Sequence, residues 1–328
     1  MLKKILAILI LPIFILSCSG GNEIKKIEKN SFLFGTYISI TVYDSDEKLA
    51  NKAIDMAFSE IKRVDDKFNS KVSGSILDDL NSGKVKEVTL DEEGVYLFEN
   101  LKRVYKLSHG KYDVTIGPLL DVWDFGAKEE RTLPSSEDLE VAKKKVDFSK
   151  LILDGNKLYF SEDGIEIDTG SFLKGYAVEK AKEVMREAGI TSAFISSISS
   201  IETINSKPGK KPWRIGIENP VNTQELLGII ELNNKGMGVS GDYQTYVEID
   251  GKKYHHIIDK TTGYPVTDKK MVVVVSDNAF FSDMYSTAFF MMPIDEVLSF
   301  AKDKDLEVFI VDKDMQTFKS EGFNLLGK

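Results

Sequence analysis

Asp283 and Thr287 stand four residues apart in a helix predicted over 278–291, so a carboxylate and a hydroxyl share one face. That pair is half of an oxygen-donor site for a hard cation. Alone, it reads more simply as an Asp complementing a helix dipole and a Thr bonding its own backbone. A second group is Asp168-Thr-Gly-Ser171-Phe-Leu-Lys174-Gly175, where a helix predicted over 172–188 begins. Ser171 is placed to cap that helix. Its free N–H groups, its positive end and Lys174 suit a phosphate, although the spacing is not that of a P-loop. A third is Tyr254-His255-His256-Ile257-Ile258-Asp259, followed by a Thr-Thr-Gly-Tyr-Pro turn. In a strand the two His face opposite ways, so only one points into a given site, as an acid–base group or a structural one. A fourth is the loop 109–127, which carries Lys111, Tyr112, Asp113, Trp123 and Phe125 among Gly and Pro. Its aromatics either clamp a flat ring system or plug a core edge.

These groups need a frame. Alternating β-branched and aromatic residues predict a strand over 31–43. Helical spacing of apolar residues predicts helices over 47–68, 91–108, 136–146, 172–188, 278–291 and 294–303. Short strands are expected at 151–153, 157–160, 164–167, 192–198, 212–217, 226–233, 244–250, 253–258, 271–276, 306–311 and 316–319. Strands and helices mix without strict alternation, which predicts an α+β fold.

Composition narrows the function. The 328 residues carry a formal charge of −9 and no basic cluster, which argues against a nucleic-acid partner. Three His and one Cys cannot build a Cys/His zinc cluster or an internal disulfide. Any metal is therefore held mainly by oxygen, which favours Mg²⁺ or Ca²⁺. Residues 1–17 have two Lys, an apolar run broken by Pro12 and a small residue, the layout of a secretory signal. Ile15-Leu16-Ser17-Cys18 resembles a bacterial lipobox, with Cys18 as the lipidation site. The expected organisation is a signal peptide over 1–17, a lipidated Cys and flexible tether over 18–30, and one domain over 31–328, anchored outside the cytoplasm.

Taken in order, the groups resemble the FAD:protein FMN transferase family, the ApbE-type lipoproteins. The resemblance rests on Leu-Phe-Gly-Thr at 33–36, Ser-Gly-Ser-Ile-Leu at 73–77 with Leu-Asn at 80–81, and Tyr-Asp-Val-Thr-Ile-Gly-Pro at 112–118. It continues through Lys-Gly-Tyr-Ala at 174–177, Trp-Arg-Ile-Gly-Ile-Glu-Asn-Pro at 213–220 and Ser-Gly-Asp-Tyr at 240–243. It ends with the His motif over 254–265 and Asp-Met-Tyr-Ser-Thr-Ala at 283–288.

The resemblance implies mostly antiparallel sheets packed with helices, and Mg²⁺-dependent transfer of FMN from FAD to a Ser or Thr hydroxyl of an acceptor protein, releasing AMP. Phe34, Lys111, Tyr112, Asp113, Asp168, Lys174 and Ile257 are implied to line the FAD site. Asp283, Thr287 and a main-chain oxygen at Ser171 are implied to hold Mg²⁺. His256 is implied to lie near the pyrophosphate, and either it or Asp283 is the base. FAD hydrolysis to FMN and AMP, or flavin binding without turnover, are the rival readings. One departure is plain: a Gly-rich stretch of the family is replaced by Ile195-Ser-Ser-Ile-Ser-Ser-Ile-Glu202.

Overall fold

The structure is a computed structural model and describes residues 23–126 and 131–327. The expected signal peptide, the lipidation site Cys18 and the first residues of the tether lie outside the described residues.

The chain opens with the hairpin β1 (Lys25–Leu33) and β2 (Thr36–Asp44), then α1 (Glu47–Phe68), α2 (Ile76–Asn81), β3 (Glu87–Thr89) and α3 (Glu92–Leu107). Next come α4 (Gly117–Trp123), α5 (Ser136–Lys143), β4 (Leu151–Asp154), β5 (Lys157–Phe160) and α6 (Leu173–Glu187). The hairpins β6 (Ala193–Ser197) with β7 (Ser200–Ile204) and β8 (Trp213–Asn219) with β9 (Asn222–Leu232) follow. Then come β10 (Gly236–Gly241), β11 (Tyr246–Ile249), β12 (Lys252–His255), β13 (Ile258–Asp259) and β14 (Tyr264–Pro265). The chain ends with β15 (Lys269–Ser276), α7 (Ala279–Met291), α8 (Ile294–Asp303), β16 (Glu307–Asp312) and β17 (Thr317–Lys319).

The main sheet has eight strands in the order β1-β2-β6-β7-β10-β15-β16-β17, and every pairing in it is antiparallel. Its two faces have different partners. Val272 and Val274 of β15 join the core formed with α1, α6 and α7. Met271, Val273 and Val275 pack on the other side with Trp213, Ile217 and Ile230 of the β8–β9 hairpin. A strand covered on both faces reads as a continuous apolar run, which is why 271–275 is Met-Val-Val-Val-Val rather than alternating. A third, smaller core joins Leu119 and Trp123 of α4 to Leu139 of α5 and to Val247 and Ile258. The α+β, mostly antiparallel expectation is met.

Helix α7 holds the site. Asn278 caps it by accepting from Phe281 N–H at 3.0 Å. Its polar face rests on β10, where Gly236, Gly238 and Ser240 alternate toward it. A Cβ on Gly238 would lie 2.3 Å from Ser282 O and 2.6 Å from Asp283 N, so only Gly lets the helix settle this low. Two residues on, Ser240 Oγ meets Ser286 Oγ at 2.9 Å and Thr287 Oγ1 at 3.1 Å. Strand period two and helix period four thus run in step.

Several elements differ from the sequence expectation. The single strand over 31–43 is a hairpin turning at Phe34-Gly35, both at positive φ (53° and 67°). Its first strand reaches back to Lys25, so residues 25–30 of the expected tether pair with β2. Strands β7 and β10 are additional, since Ser- and Gly-rich segments carry little β signal. The span 253–258 is broken after His255. The loop 109–127 contains α4, and 164–167 contributes only an isolated bridge between Ile116 and Glu166.

Candidate active site

One cavity of about 840 Å³ opens where the β1–β2 turn, the segment leading into α6, the β6–β7 turn, the end of β10, residues 256–258 and α7 converge. Phe34, Lys111, Tyr112, Asp113, Asp168, Ser171, Lys174, His256, Ile257, Asp283 and Thr287 all border it. The structure therefore gathers every site residue named from the sequence within the described chain. What each side chain does there is less uniform.

Asp283 is 4% exposed, and its Oδ2 accepts the Gly175 N–H at 2.9 Å. A Cβ at 175 would lie 2.5 Å from both Ala279 O and Asp283 Cβ, so Gly175 is what brings α6 this close. Burial raises the Asp283 pKa, opposed by the charge of Lys174 and by the Gly175 N–H. Thr287 Oγ1 lies one turn along, 3.4 Å from Asp283 O.

Ser171 does not cap α6, contrary to expectation. The N-cap position is Phe172, with no side-chain cap, and Ser171 Oγ shares a 2.9 Å hydrogen bond with Tyr112 OH. Gly175 N–H would ordinarily close a helical turn on Ser171 O. It is turned to Asp283 instead, and no backbone N–H among the described residues donates to Ser171 O. Asp283, Thr287 and the Ser171 carbonyl are thus a carboxylate, a hydroxyl and a free carbonyl, the donor set of a hard cation. Among the described residues, no three His, Cys, Asp or Glu side chains form a metal cage.

Lys174 Nζ donates to Gly170 O at 3.1 Å, and Asp168 Oδ2 accepts the Gly170 N–H at 2.9 Å. Burial raises the Asp168 pKa, while Lys71 and Lys174 pull it down. Tyr112 is buried, and burial holds its hydroxyl pKa well above the ordinary value, so the phenol stays protonated. Asp113 borders the cavity with its carboxylate already engaged by the chain itself. Its Oδ2 accepts from Lys260 Nζ at 2.6 Å and Phe148 N–H at 3.1 Å. Its Oδ1 accepts from Thr115 N–H at 3.0 Å and Thr115 Oγ1 at 2.6 Å. The carboxylate is used up in building the cavity wall.

Only one of the two His borders the cavity, as expected, although His256 lies just past the end of β12 rather than within the strand. His255 ends β12 buried, with Nε2 2.6 Å from Val266 O, Nδ1 accepting from Ile257 N–H at 3.2 Å and its ring against Phe290. It holds the packing of the wall. His256 borders the cavity with Nδ1 3.1 Å from Thr245 O. Nδ1–H donating to that carbonyl leaves the Nε2 lone pair free. Burial pushes the His256 pKa down to about 4, with the charges of Lys174 and His255 adding to the effect. The ring is neutral at physiological pH. Ile257 is buried and borders the same cavity. Of the loop aromatics, Trp123 plugs the third core, donating Nε1–H to Gly263 O at 2.8 Å, while Phe125 borders the cavity.

Sequence reasoning quoted Ser240 within a motif but gave it no role, although it touches Thr287, and it missed Lys260, which pairs with Asp113. It also missed Glu202, buried between Lys182 Nζ at 2.6 Å and Ala279 N–H at 2.7 Å at the start of α7. The Gly-x-Gly-x-Ser alternation of 236–240 was the available signal for Ser240. Nothing local marks the other two.

A profile of the ApbE family matches residues 34–310. The chain belongs to the ApbE family. The FAD:protein FMN transferase of Haemophilus influenzae is 32% identical over 235 residues, 68% of each chain. That of Klebsiella pneumoniae is 26% identical over 290 residues, 87% of this chain and 88% of the relative. Among solved structures, the ApbE protein of Thermotoga maritima has a TM-score of 0.84 at 28% identity, covering 90% of this chain and 97% of that one. The flavin transferase ApbE of Vibrio cholerae shares the fold with a TM-score of 0.80 at 24% identity, over 92% and 99% of the two chains. The site thus belongs to an ApbE-family flavin transferase.

Proposed function

We propose that this protein transfers FMN from FAD to a Ser or Thr hydroxyl of an acceptor protein and releases AMP, with Mg²⁺ at Asp283, Thr287 and the Ser171 carbonyl. The observation that carries the reading is the diverted Gly175 N–H. It engages Asp283 and frees the Ser171 carbonyl, so three oxygen donors of suitable chemistry border one cavity. About 840 Å³ falls in the range of small-molecule and cofactor sites.

Mg²⁺ bound there would neutralise the pyrophosphate and stabilise the leaving phosphate. Lys174, at the α6 N-terminus, adds positive charge toward the same anion. Phe34, on the positive-φ turn, and Ile257 give the cavity its apolar wall. The acceptor hydroxyl forms a bond to the FMN-side phosphorus as the bond to the AMP oxygen breaks. His256 Nε2 takes the hydroxyl proton, because its lone pair is free while Asp283 accepts from Gly175 N–H and would also hold the cation. Incubation with FAD, Mg²⁺ and an acceptor domain, followed by chromatography, tests the reaction. One AMP per flavinylated acceptor is expected. Stoichiometric free FMN, with no labelled acceptor, would favour hydrolysis.

We further propose that the domain is tethered outside the cytoplasm through a lipid on Cys18. The leader and the lipobox-like Ile15-Leu16-Ser17-Cys18 support this. Among the described residues no helix is long and apolar enough to cross a membrane. Cells fed labelled palmitate should label the wild type and not Cys18→Ser. Equal label on both would end the lipobox reading.

A further inference from the structure

Strand β7 lies beside β10 under α7, with Gly236 opposite Glu202 and Gly238 opposite Ser200. Residues directly opposite in an antiparallel pair project to the same face. Gly236 and Gly238 face α7 at Ala279 and at Ser282–Asp283 respectively. Glu202 and Ser200 must therefore face the same two turns. Glu202 does so, accepting the Ala279 N–H at 2.7 Å. Ser200, two residues earlier, is aimed one helical turn further on, at Asp283. Yet Ser200 Oγ is fully buried and lacks a hydrogen-bond partner of proper geometry among the described residues. A buried O–H with no acceptor is unfavourable, and it calls for a ligand state that completes it.

We propose that Ser200 is a positioning residue for the cation site, donating to the Asp283 carboxylate when that side chain holds a divalent cation. The inference rests on the reading of Asp283 and Thr287 as cation ligands. With Gly175 N–H on one side and Ser200 O–H on another, the carboxylate is fixed by two donors. Its orientation is then held for as long as the cation is bound. Outer hydrogen bonds of this kind orient a metal ligand and set its affinity.

Mn²⁺ serves as the probe, titrated into the purified full chain without FAD and read as free ion by electron paramagnetic resonance. The variants are Asp283→Ala, Ser200→Ala and Ser200→Cys. The Cys variant nearly keeps the volume but is a weak donor. Wild type should bind Mn²⁺ and Asp283→Ala should not. Both Ser200 variants should weaken binding by roughly 10–100-fold. Unchanged affinity in Ser200→Ala overturns the inference while leaving the cation reading standing. So does wild-type affinity in Ser200→Cys beside weak binding in Ser200→Ala, because that pattern means packing. Mn²⁺ binding that survives Asp283→Ala, or is absent from wild type, overturns the cation reading and this inference with it.

Discussion

Replacing Gly175 by Ala tests whether the α6–α7 approach builds the site. The new Cβ would lie 2.5 Å from Ala279 O and 2.5 Å from Asp283 Cβ. Non-bonded heavy atoms sit comfortably at ~3.5–4.0 Å, so the two helices must part by about 1 Å. Both contacts are with backbone or with a Cβ fixed to it, so no side-chain rotation relieves them. Overpacking of this kind costs about 1–3 kcal/mol. The 2.9 Å bond from Gly175 N–H to Asp283 would stretch past hydrogen-bond range. Misplacement by about 1 Å at a reacting centre costs on the order of 10²-fold in rate. Urea unfolding should therefore show modest destabilisation, while the FMN transfer rate, measured well below the unfolding transition, falls far more. A Gly175→Ala enzyme with wild-type rate and wild-type stability would refute the claim that this contact sets the site.

His256→Ala should lower the transfer rate by roughly 10²–10⁴-fold, as for a lost acid–base group, with FAD binding weakened less; His255→Ala should instead lower the unfolding midpoint. If the two effects are exchanged, the assignment of the rings is wrong. The folded-state pKa of His256, about 4, lies below its ordinary 6.5, so the unfolded chain takes up this proton first as pH falls. Its contribution to stability is full above pH 6.5 and lost as pH falls through 4, so His256→Gln should flatten the acid side of the stability curve. A curve unchanged by the substitution would contradict a neutral ring held below its ordinary pKa. Asp113→Ala leaves Lys260 and the Phe148 and Thr115 N–H groups without their acceptor and should cost about 3–5 kcal/mol in urea unfolding. A loss of FAD affinity with no loss of stability would mean that Asp113 acts on the ligand directly.

The long helices were legible because their apolar spacing is the dominant signal in α1, α3 and α6. The Asp283–Thr287 pair was legible because four residues along a helix fix a shared face whatever lies opposite. What lies opposite was not legible. Strand β10 is half Gly, and its pairing with β7 and β15 comes from tertiary packing that a propensity argument cannot supply. The β1–β2 hairpin was read as one strand because Phe34 is an unusual residue at positive φ, and only Gly35 signalled the turn. Ser171 has the residue type of a cap, but Tyr112, 59 positions away, competes for its hydroxyl. Asp113 was correctly placed at the cavity, yet its carboxylate belongs to Lys260, 147 positions away. Residue types found the neighbourhood; the partners within it are set by contacts far apart in the chain.

The central claim is Mg²⁺-dependent FMN transfer at Asp283, and intact-mass spectrometry of an acceptor protein after incubation with FAD addresses it most directly. Wild-type enzyme with Mg²⁺ should add the mass of one FMN less one water to the acceptor, at a Ser or Thr. Wild-type enzyme in EDTA, and Asp283→Ala in Mg²⁺, should leave it almost unmodified. Full modification by Asp283→Ala in EDTA would contradict the account.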